Sequence, residues 1–172
     1  MSDIQIVRSE ERYAEGLRNT YEEICKERIY FSVLQAPTVA AIAQHMRTLR
    51  ESGGVQCLAL SGDGDVVGWC DVTRHTREIE SHAGSLGMGV LRQFRGKGLG
   101  RRLAEQTIQE ARQLGIERIE LGVYVSNAAA VSLYQKLGFA TEGIKRRARK
   151  LDGQYTDKLM MALLLDSESS PR

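Results

Sequence analysis

The feature of this 172-residue sequence that most constrains its fold is a glycine-rich turn between a strand and a helix. The turn, residues 95–100, reads Arg-Gly-Lys-Gly-Leu-Gly and opens an amphipathic helix over about residues 98–114. The first N–H groups of a helix are unpaired and carry the positive end of its dipole, and glycine lets a bulky anion approach them. We therefore predict a phosphate or pyrophosphate site here, with added positive charge from Arg95, Lys97, Arg101 and Arg102.

The rest of the sequence predicts an α/β chain with a mixed sheet. Apolar spacings of three and four, with capping and stop residues, predict helices at residues 10–28, 37–53, 98–114 and 127–137. Alternating apolar residues and turn signals predict strands at residues 4–7, 56–60, 66–73, 82–90, 118–125, 139–150 and 154–165. We expect one domain over residues 1–166 and a polar, disordered tail over residues 167–172.

Composition excludes several classes of protein. The 24 basic and 22 acidic side chains leave a net charge of +2, too even to predict a nucleic-acid or membrane partner. We expect no membrane span and no signal peptide, because no apolar run is long enough. The three cysteines are widely separated and predict reduced, buried thiols of a cytoplasmic protein. The three histidines lack metal-ligand spacing, so no metal site is expected.

Two common nucleotide-binding motifs do not fit the turn. A P-loop requires Gly-x-x-x-x-Gly-Lys-Ser/Thr, but Leu91 precedes Gly96 by five residues and Gly98 follows the lysine. A dinucleotide-binding fingerprint requires Gly-x-Gly-x-x-Gly, whereas the glycines here alternate and the preceding strands form a hairpin. The phosphate ligand must therefore belong to another class.

Two blocks of the sequence resemble one protein family. The pattern Arg-x-x-Gly-x-Gly from Arg95 resembles the acetyl-CoA pyrophosphate loop of the GNAT superfamily of N-acyltransferases. The pattern Asn-x-x-Ala-x-x-x-Tyr-x-x-x-Gly-Phe from Asn127 is similar to the family's segment in the next β-α unit. The order of elements agrees along nearly the whole chain, and residues 142–162 further resemble small-molecule and amino-acid N-acetyltransferases.

The resemblance implies a fold and a co-substrate. The fold is a mixed, mostly antiparallel twisted sheet with flanking helices, whose two parallel central strands, residues 82–90 and 118–125, splay apart. Acetyl-CoA would bind in the gap, its pantetheine chain pairing with one strand and its pyrophosphate lying on the turn. The implied cofactor-binding residues are Met88, Gly89, Val90, Arg95, Gly96, Lys97, Gly98, Leu99, Gly100, Arg101, Asn127 and Tyr134.

The resemblance also implies direct attack of an amine on the thioester in a ternary complex, without an acyl-enzyme. Tyr134 would protonate the leaving thiolate, and a backbone N–H near Met88 would hold the developing oxyanion. The residues by themselves allow simpler roles, since Tyr134 suits a helical core face and Asn127 suits a helix N-cap.

The sequence leaves open which group deprotonates the amine. Relatives often have an acidic residue on the strand before the loop, but residues 82–90 hold no carboxylate, and Ser85 stands where some relatives have the acid. The candidates are Glu80, His82, Glu120 and a water held by Ser85. The candidate catalytic residues are therefore Tyr134, Ser85 and Glu120.

The acceptor pocket is expected at the link between the first two helices, as in the family. In the cluster over residues 27–32, Glu27 or Tyr30 could bind an ammonium and Arg28 a carboxylate. The alternative is that Tyr30 is core and that both charged groups are solvated. A basic run over residues 145–150 favours a solvated edge strand over a nucleic-acid site, and it could also contact an anionic substrate or the cofactor's 3′-phosphate.

These patterns predict an enzyme that moves an acetyl group from acetyl-CoA to the primary amine of a small molecule, an amino acid or its analogue. The alternatives are a protein N-terminal or lysine acetyltransferase and a non-catalytic acyl-CoA-binding regulatory module. We expect a cytoplasmic protein without metal, nucleic-acid or membrane partners. A homodimer is an expectation from the family.

Overall fold

The computed structural model describes residues 4–165 and contains a seven-stranded mixed sheet with helices on both faces. The strands are β1 (Gln5–Arg8), β2 (Val55–Leu60), β3 (Val66–Arg74), β4 (Ala83–Val90), β5 (Arg118–Tyr124), β6 (Ala140–Leu151) and β7 (Gln154–Leu164). The helices are α1 (Ala14–Lys26), α2 (Val39–Glu51), α3 (Leu99–Gln113) and α4 (Ala128–Lys136). Each predicted strand and helix is present within a few residues of its expected bounds. The tail predicted over residues 167–172 lies outside the described residues.

The sheet has the order β1-β2-β3-β4-β5-β7-β6, and every neighbouring pair is antiparallel except β4 and β5. The parallel pair extends only from Ala83 opposite Arg118 to Ser85 opposite Glu120. Beyond that rung the two strands diverge and leave a gap in the sheet. The predicted mostly antiparallel sheet with splayed central strands is therefore confirmed.

The two faces of the sheet have different coverings, and β4 contributes alternate residues to each. Met88 faces α3, since a Cβ added at Gly100 would lie 3.3 Å from the Met88 Cε atom. Gly89 faces α1, since a Cβ added there would overlap the Trp69 ring and lie 3.0 Å from Ile24 Cδ1. Ser85 and Gly87 alternate with Met88 and so share the face of Gly89. We call the two sides the α3 face and the α1 face.

Several local predictions are confirmed. Asp152 and Gly153 turn β6 into β7 with φ of +47° and +79°, as a two-residue hairpin requires. The basic run lies on β6, which is an edge strand. The three cysteines are buried and free. None of the described helices combines the length and hydropathy needed to cross a membrane.

Candidate functional site

The gap between β4 and β5 exposes strand backbone inside the sheet. Beyond Ser85 and Glu120, the β4 backbone groups that point toward β5 have no strand partner. By strand alternation these groups belong to Leu86, Met88 and Val90, which include the predicted cofactor contacts Met88 and Val90, whereas the backbone of Gly89 points toward β3. An extended ligand with amide donors and acceptors could pair with this edge as an added strand does.

The glycine-rich turn lies beside the gap on the α3 face. Gly98 is the N-cap of α3 with φ of +81°, Gly96 has φ of +72°, and no side chain caps the helix. No atom lies within 4 Å of a Cβ added at either glycine, so the turn opens onto free space. The N–H groups of residues 99–101 donate to no described backbone carbonyl. The turn therefore exposes free backbone donors to open space, an arrangement that suits an anion, and phosphate binding here stays a prediction.

The basic side chains of the turn are already engaged. The Arg95 Nη1 and Nη2 atoms donate to both Glu27 carboxylate oxygens at 2.8 and 2.7 Å, and its Nε donates to the Val90 carbonyl at 2.7 Å. Arg101 pairs with Glu105 at 2.7 Å. The charge of Arg95 is thus compensated by Glu27, and the uncompensated positive potential of the turn comes chiefly from the helix N-terminus.

Asn127 begins α4 as its sequence predicts. Its Oδ1 atom accepts a hydrogen bond from the Ala130 N–H at 3.2 Å, which satisfies one of the free donors at the helix start. The side-chain amide nitrogen has no hydrogen-bond partner within the described chain. A contact from that nitrogen to the cofactor stays a prediction and is compatible with the capping role.

Tyr134 is part of the core on the α3 face. It is 7% exposed, and its ring packs edge-on against Phe139 with centroids 5.6 Å apart. Burial raises the pKa of the Tyr134 phenol well above its usual value, with a smaller contribution from Cys70, which lies opposite Met88. The phenol therefore keeps its proton at neutral pH, as a proton donor to a thiolate must.

None of the three cysteines is suited to act as a nucleophile. Burial raises the pKa of the Cys57 thiol to about 11, and it raises the pKa of the Cys25 and Cys70 thiols as well. The thiolate is the reactive form of cysteine, and it is scarce at neutral pH in each of these environments. An acyl-cysteine intermediate is therefore disfavoured.

The α1 face of the gap carries a polar cluster at its closed end. Ser85 and Glu120 are opposite each other on the last paired rung of β4 and β5. The His75 Nε2 atom lies 3.0 Å from Ser85 Oγ and 3.6 Å from Glu120 Oε1. We call His75, Ser85 and Glu120 the closed-end cluster. Sequence reasoning named Ser85 and Glu120 separately and missed His75, which no local pattern distinguishes.

The other two predicted proton acceptors lie outside this cluster. Glu80 is in a short 3-10 turn and its carboxylate lies 3.7 Å from Arg77. His82 is exposed just before β4, where its carbonyl accepts hydrogen bonds from the backbone of Glu117 and Arg118. Neither side chain forms a described hydrogen bond with the edges of the gap.

A second carboxylate faces the gap from β3. Asp71 is 8% exposed, and a Cβ added at Gly87, its partner on β4, would lie 3.3 Å from the Asp71 Oδ1 atom. Its polar neighbours are distant, with Thr73 Oγ1 at 3.5 Å and His45 Nε2 at 3.7 Å. The Asp71 carboxylate raises the pKa of His45. Sequence reasoning missed this residue, although a lone carboxylate in an apolar strand was a usable signal.

Aromatic side chains line the same face next to Asp71. Tyr21 stacks on Trp69 with ring centroids 4.1 Å apart, and Phe31 meets both rings edge-on. Burial raises the pKa of the Tyr21 phenol, with a contribution from Asp71. This apolar wall limits the water that can reach the gap from α1.

Cations border the open end of the gap. The Arg149 Nη1 atom donates to the Ile29 carbonyl at 2.6 Å, and its guanidinium carbon lies 4.5 Å from the centroid of the Tyr124 ring. Lys158 Nζ lies 5.0 Å from the same centroid. The buried Arg149 Nε atom has no hydrogen-bond partner among the described residues. Tyr124 alternates with the α3-face residue Val123, so these cations lie on the α1 face.

The predicted acceptor-binding residues lie just after α1, and two of them form ion pairs with other segments of the chain. Glu27 is held by Arg95 of the turn, and Arg28 Nη2 lies 3.0 Å from both Asp152 carboxylate oxygens of the β6–β7 hairpin. Tyr30 is 39% exposed. Glu27 and Arg28 are thus paired within the chain, and the ionic groups that remain on the α1 face come from the strands.

Comparisons with known proteins agree with this architecture. Residues 17–139 match the model of the acetyltransferase (GNAT) family. The chain is 32% identical over 165 residues to the L-amino acid N-acetyltransferase AaaT of Escherichia coli (strain K12), covering 94% of this chain and 98% of the relative.

Solved structures give the same fold. An acetyltransferase of the GNAT family from Streptococcus pneumoniae superimposes with a TM-score of 0.88 at 27% identity, covering 94% of this chain and 99% of that one. A phosphinothricin acetyltransferase from Sinorhizobium meliloti, in complex with acetyl-CoA, superimposes with a TM-score of 0.89 at 18% identity, covering 100% and 93%.

Proposed function

This chain belongs to the GNAT acetyltransferase family, and on that premise we propose that it transfers an acetyl group from acetyl-CoA to the α-amine of a free amino acid. The observation that carries the proposal is the different chemistry of the two faces of the gap. The α3 face exposes the uncapped N-terminus of a helix to open space. The α1 face has carboxylates and cations around an aromatic wall. These two faces suit a pyrophosphate-containing donor and a zwitterionic acceptor.

The residues around the gap fit acetyl-CoA. Its pyrophosphate would lie on the N–H groups at the start of α3, and its pantetheine amides would pair with the free edge of β4. Met88 and Tyr134 both belong to the core on the α3 face, so a thioester beside Met88 has the phenol on that side. A β4 N–H that points into the gap would stabilise the oxyanion.

Direct transfer then needs no protein nucleophile. The neutral amine attacks the thioester carbonyl carbon, an N–C bond forms, and the C–S bond breaks as the tetrahedral intermediate collapses. Tyr134 would give its proton to the leaving sulfur and regain one from solvent. From an ammonium substrate, the reaction yields an amide, free coenzyme A thiol and one released proton.

The acceptor's carboxylate has a suitable partner in Arg149. Counting along the gap from Ser85 opposite Glu120, Met88 is level with Val123 and Gly89 is level with Tyr124. The Arg149 guanidinium is stacked on Tyr124. It therefore lies about one residue farther along the gap than a thioester beside Met88 would. An α-carboxylate is separated from its amine by a single carbon, so both groups can be engaged together. Only one guanidinium nitrogen, Nη1, is paired with a described residue, which leaves donors for an anion.

A thiol-release assay with acetyl-CoA tests this function. We expect turnover with free L-amino acids and little with the corresponding decarboxylated amines or with N-terminal peptides of proteins. Turnover confined to peptides would favour the protein-acetyltransferase alternative. Acetyl-CoA binding without turnover on any amine would favour the regulatory module, and an absence of acetyl-CoA binding would contradict the proposal.

Replacing Arg149 with methionine should raise KM for amino acids about tenfold, because a hydrogen bond to a charged group contributes roughly 1.5–3 kcal/mol. The KM for the decarboxylated amine should change less than twofold, since that acceptor has no carboxylate to lose. The matched control is Arg146→Met, which removes an exposed guanidinium from the same strand. An equal rise of KM for both acceptors in Arg149→Met would show that Arg149 only stabilises the segment around Ile29, through its hydrogen bond to the Ile29 carbonyl.

Alkylation should leave the enzyme active. The cysteines are buried and their pKa values are raised, so iodoacetamide at pH 7 should modify the native protein slowly and without loss of turnover. Mass spectrometry during turnover should detect no acetylated protein. Rapid loss of activity that parallels modification of a single cysteine would contradict direct transfer. A cytoplasmic location and a homodimer stay predictions from the sequence.

A further inference from the structure

We infer that His75 is the proton acceptor for the acceptor amine and that it receives the proton through Ser85. This inference rests on the proposed function, because it concerns deprotonation of the same amine. The evidence is the closed-end cluster, in which one imidazole nitrogen contacts both a hydroxyl and a carboxylate at the edge of the gap.

The position of His75 is set by backbone contacts. Its N–H donates to the Ala83 carbonyl at 2.9 Å, which continues the β3–β4 hairpin by one residue. The preceding Arg74 side chain donates to the Gly53 carbonyl at 3.2 Å and to the Ser81 carbonyl at 2.7 Å. The imidazole is therefore held over the α1 face, with its side chain 26% exposed. It is both fixed and accessible to water.

The cluster has the arrangement that a proton relay requires. With Nε2 unprotonated, the Ser85 hydroxyl donates to it at 3.0 Å. The Ser85 oxygen is then free to accept a proton from a water in the gap. A protonated imidazole would be stabilised by Glu120 at 3.6 Å. Ser85 thus carries the proton between the gap and the imidazole, and His75 supplies the basicity that serine lacks.

The distance between Ser85 and a thioester beside Met88 explains why a proton relay is needed. Ser85 precedes Met88 by three residues, which is roughly 10 Å along a strand. An amine beside the thioester is too far from His75 for direct transfer, so water between the amine and Ser85 is part of the path. In the complete step, an ammonium N–H bond breaks, its proton passes along a chain of hydrogen-bonded waters to Ser85 Oγ, and the Ser85 proton moves to Nε2. The imidazolium then releases the proton to solvent.

Neighbouring charges determine the pH response of the cluster. Arg118 Nη2 lies 3.4 Å from Glu120 Oε2, and the Arg118 guanidinium also pairs with Glu142 of β6. These contacts raise the pKa of Arg118 and lower the pKa of Glu142. Glu120 therefore shares the Arg118 guanidinium with Glu142, and Arg118 moderates the negative potential of Glu120 beside His75. Removing the Glu120 charge should make the imidazole easier to deprotonate.

Asp71 is the competing proton acceptor on this face. Its partner on β4, Gly87, is one residue from Met88, so Asp71 lies nearer to the reacting level than Ser85 does. Substitution distinguishes the two candidates, because only the change that removes the proton acceptor should abolish the acidic limb of kcat/KM.

The experiment is the pH dependence of kcat/KM for the purified enzyme with its best amino-acid acceptor, measured for the wild type and for His75→Gln, Ser85→Ala, Glu120→Gln and Asp71→Asn. We expect an acidic limb in the wild-type profile, because protonation of the acceptor blocks the relay. His75→Gln should abolish that limb and lower kcat/KM about tenfold at pH 7. Glu120→Gln should move the limb to lower pH, and Ser85→Ala should lower kcat while the limb stays in place.

Several outcomes would overturn the inference. They are an unchanged profile in His75→Gln, an acidic limb that Asp71→Asn removes, and loss of the limb in a further variant, His82→Gln. The acceptor amine's own titration gives a second limb at higher pH that every variant should share. Acetyl-CoA affinity and thermal unfolding, measured for each variant, separate a lost proton acceptor from a misfolded protein. If the wild type acetylates no amine, the proposed function fails before this inference is reached.

Discussion

Replacing Gly98 with alanine should weaken acetyl-CoA binding about 30-fold while leaving the protein folded. The added methyl group enters the open space above the first turn of α3, where no atom now lies within 4 Å. It would keep an anion away from the N–H groups there, and the interaction of an anion with a helix N-terminus is worth up to about 2 kcal/mol. That free energy corresponds to about a 30-fold change in Kd.

The backbone strain of this substitution requires its own control. At φ of +81°, a residue with a Cβ costs about 1–2 kcal/mol more than glycine. Gly115, at the other end of α3, has φ of +79° and also has no atom within 4 Å of an added Cβ. Gly115→Ala therefore imposes the same strain far from the turn.

The pair of variants gives a clear comparison. Calorimetric titration with acetyl-CoA should show weaker binding for Gly98→Ala alone, whereas chemical denaturation should show similar losses of stability for both. A similar rise of Kd in both variants would indicate that general destabilisation weakens binding. Unchanged affinity in Gly98→Ala would place the pyrophosphate elsewhere and would remove the main argument for the turn as the cofactor site.

The parts of the site that the sequence predicts are those with local causes. Gly98 supplies a left-handed N-cap that other residues adopt poorly, and Asn127 caps the next helix with its own side chain. Both signals act within a few residues, so a linear pattern contains them. The strand and helix order follows for the same reason, because alternation and helical spacing are short-range properties.

The parts that the sequence does not predict depend on contacts between distant segments. His75 meets Ser85 only because the β3–β4 hairpin pairs in one register, and it meets Glu120 only because β5 joins at that rung. Arg149 donates to the carbonyl of Ile29, 120 positions earlier in the chain. The charge pattern around residue 149 indicates an exposed edge, and it contains no information about which side chain folds back over Tyr124.

Ion pairing shows the same limit. Considered alone, Glu27 and Arg95 each suit a contact with a ligand. In the fold they form a bidentate ion pair with each other, although they are 68 positions apart in the sequence. A charged residue's availability for a ligand depends on whether the fold supplies a partner first. The groups still available on the α1 face, such as Asp71, lie on strands beside the gap and have only distant polar neighbours.

Replacing Tyr134 with phenylalanine should lower kcat about 100-fold, which is at the low end of the usual contribution of general acid catalysis. The Kd for acetyl-CoA should change less than twofold, because the ring still packs against Phe139. Tyr134 is buried and phenylalanine nearly conserves its volume, so the free energy of unfolding should change by less than about 1.5 kcal/mol. Stopped-flow measurement of thiol release on saturated enzyme isolates the chemical step.

The raised pKa of Tyr134 provides a second test of its role as proton donor, through the pH dependence of kcat. Burial favours the neutral phenol, so the acid form persists to higher pH than for an exposed tyrosine, whose pKa is near ~10. The wild-type kcat should therefore show no alkaline decline from this group below about pH 10. Tyr13→Phe, which removes a phenol from beside α1, is the matched control and should leave kcat unchanged. Equal turnover of Tyr134→Phe and wild type would reduce Tyr134 to a core residue, and the thiolate would then leave without protonation by the protein.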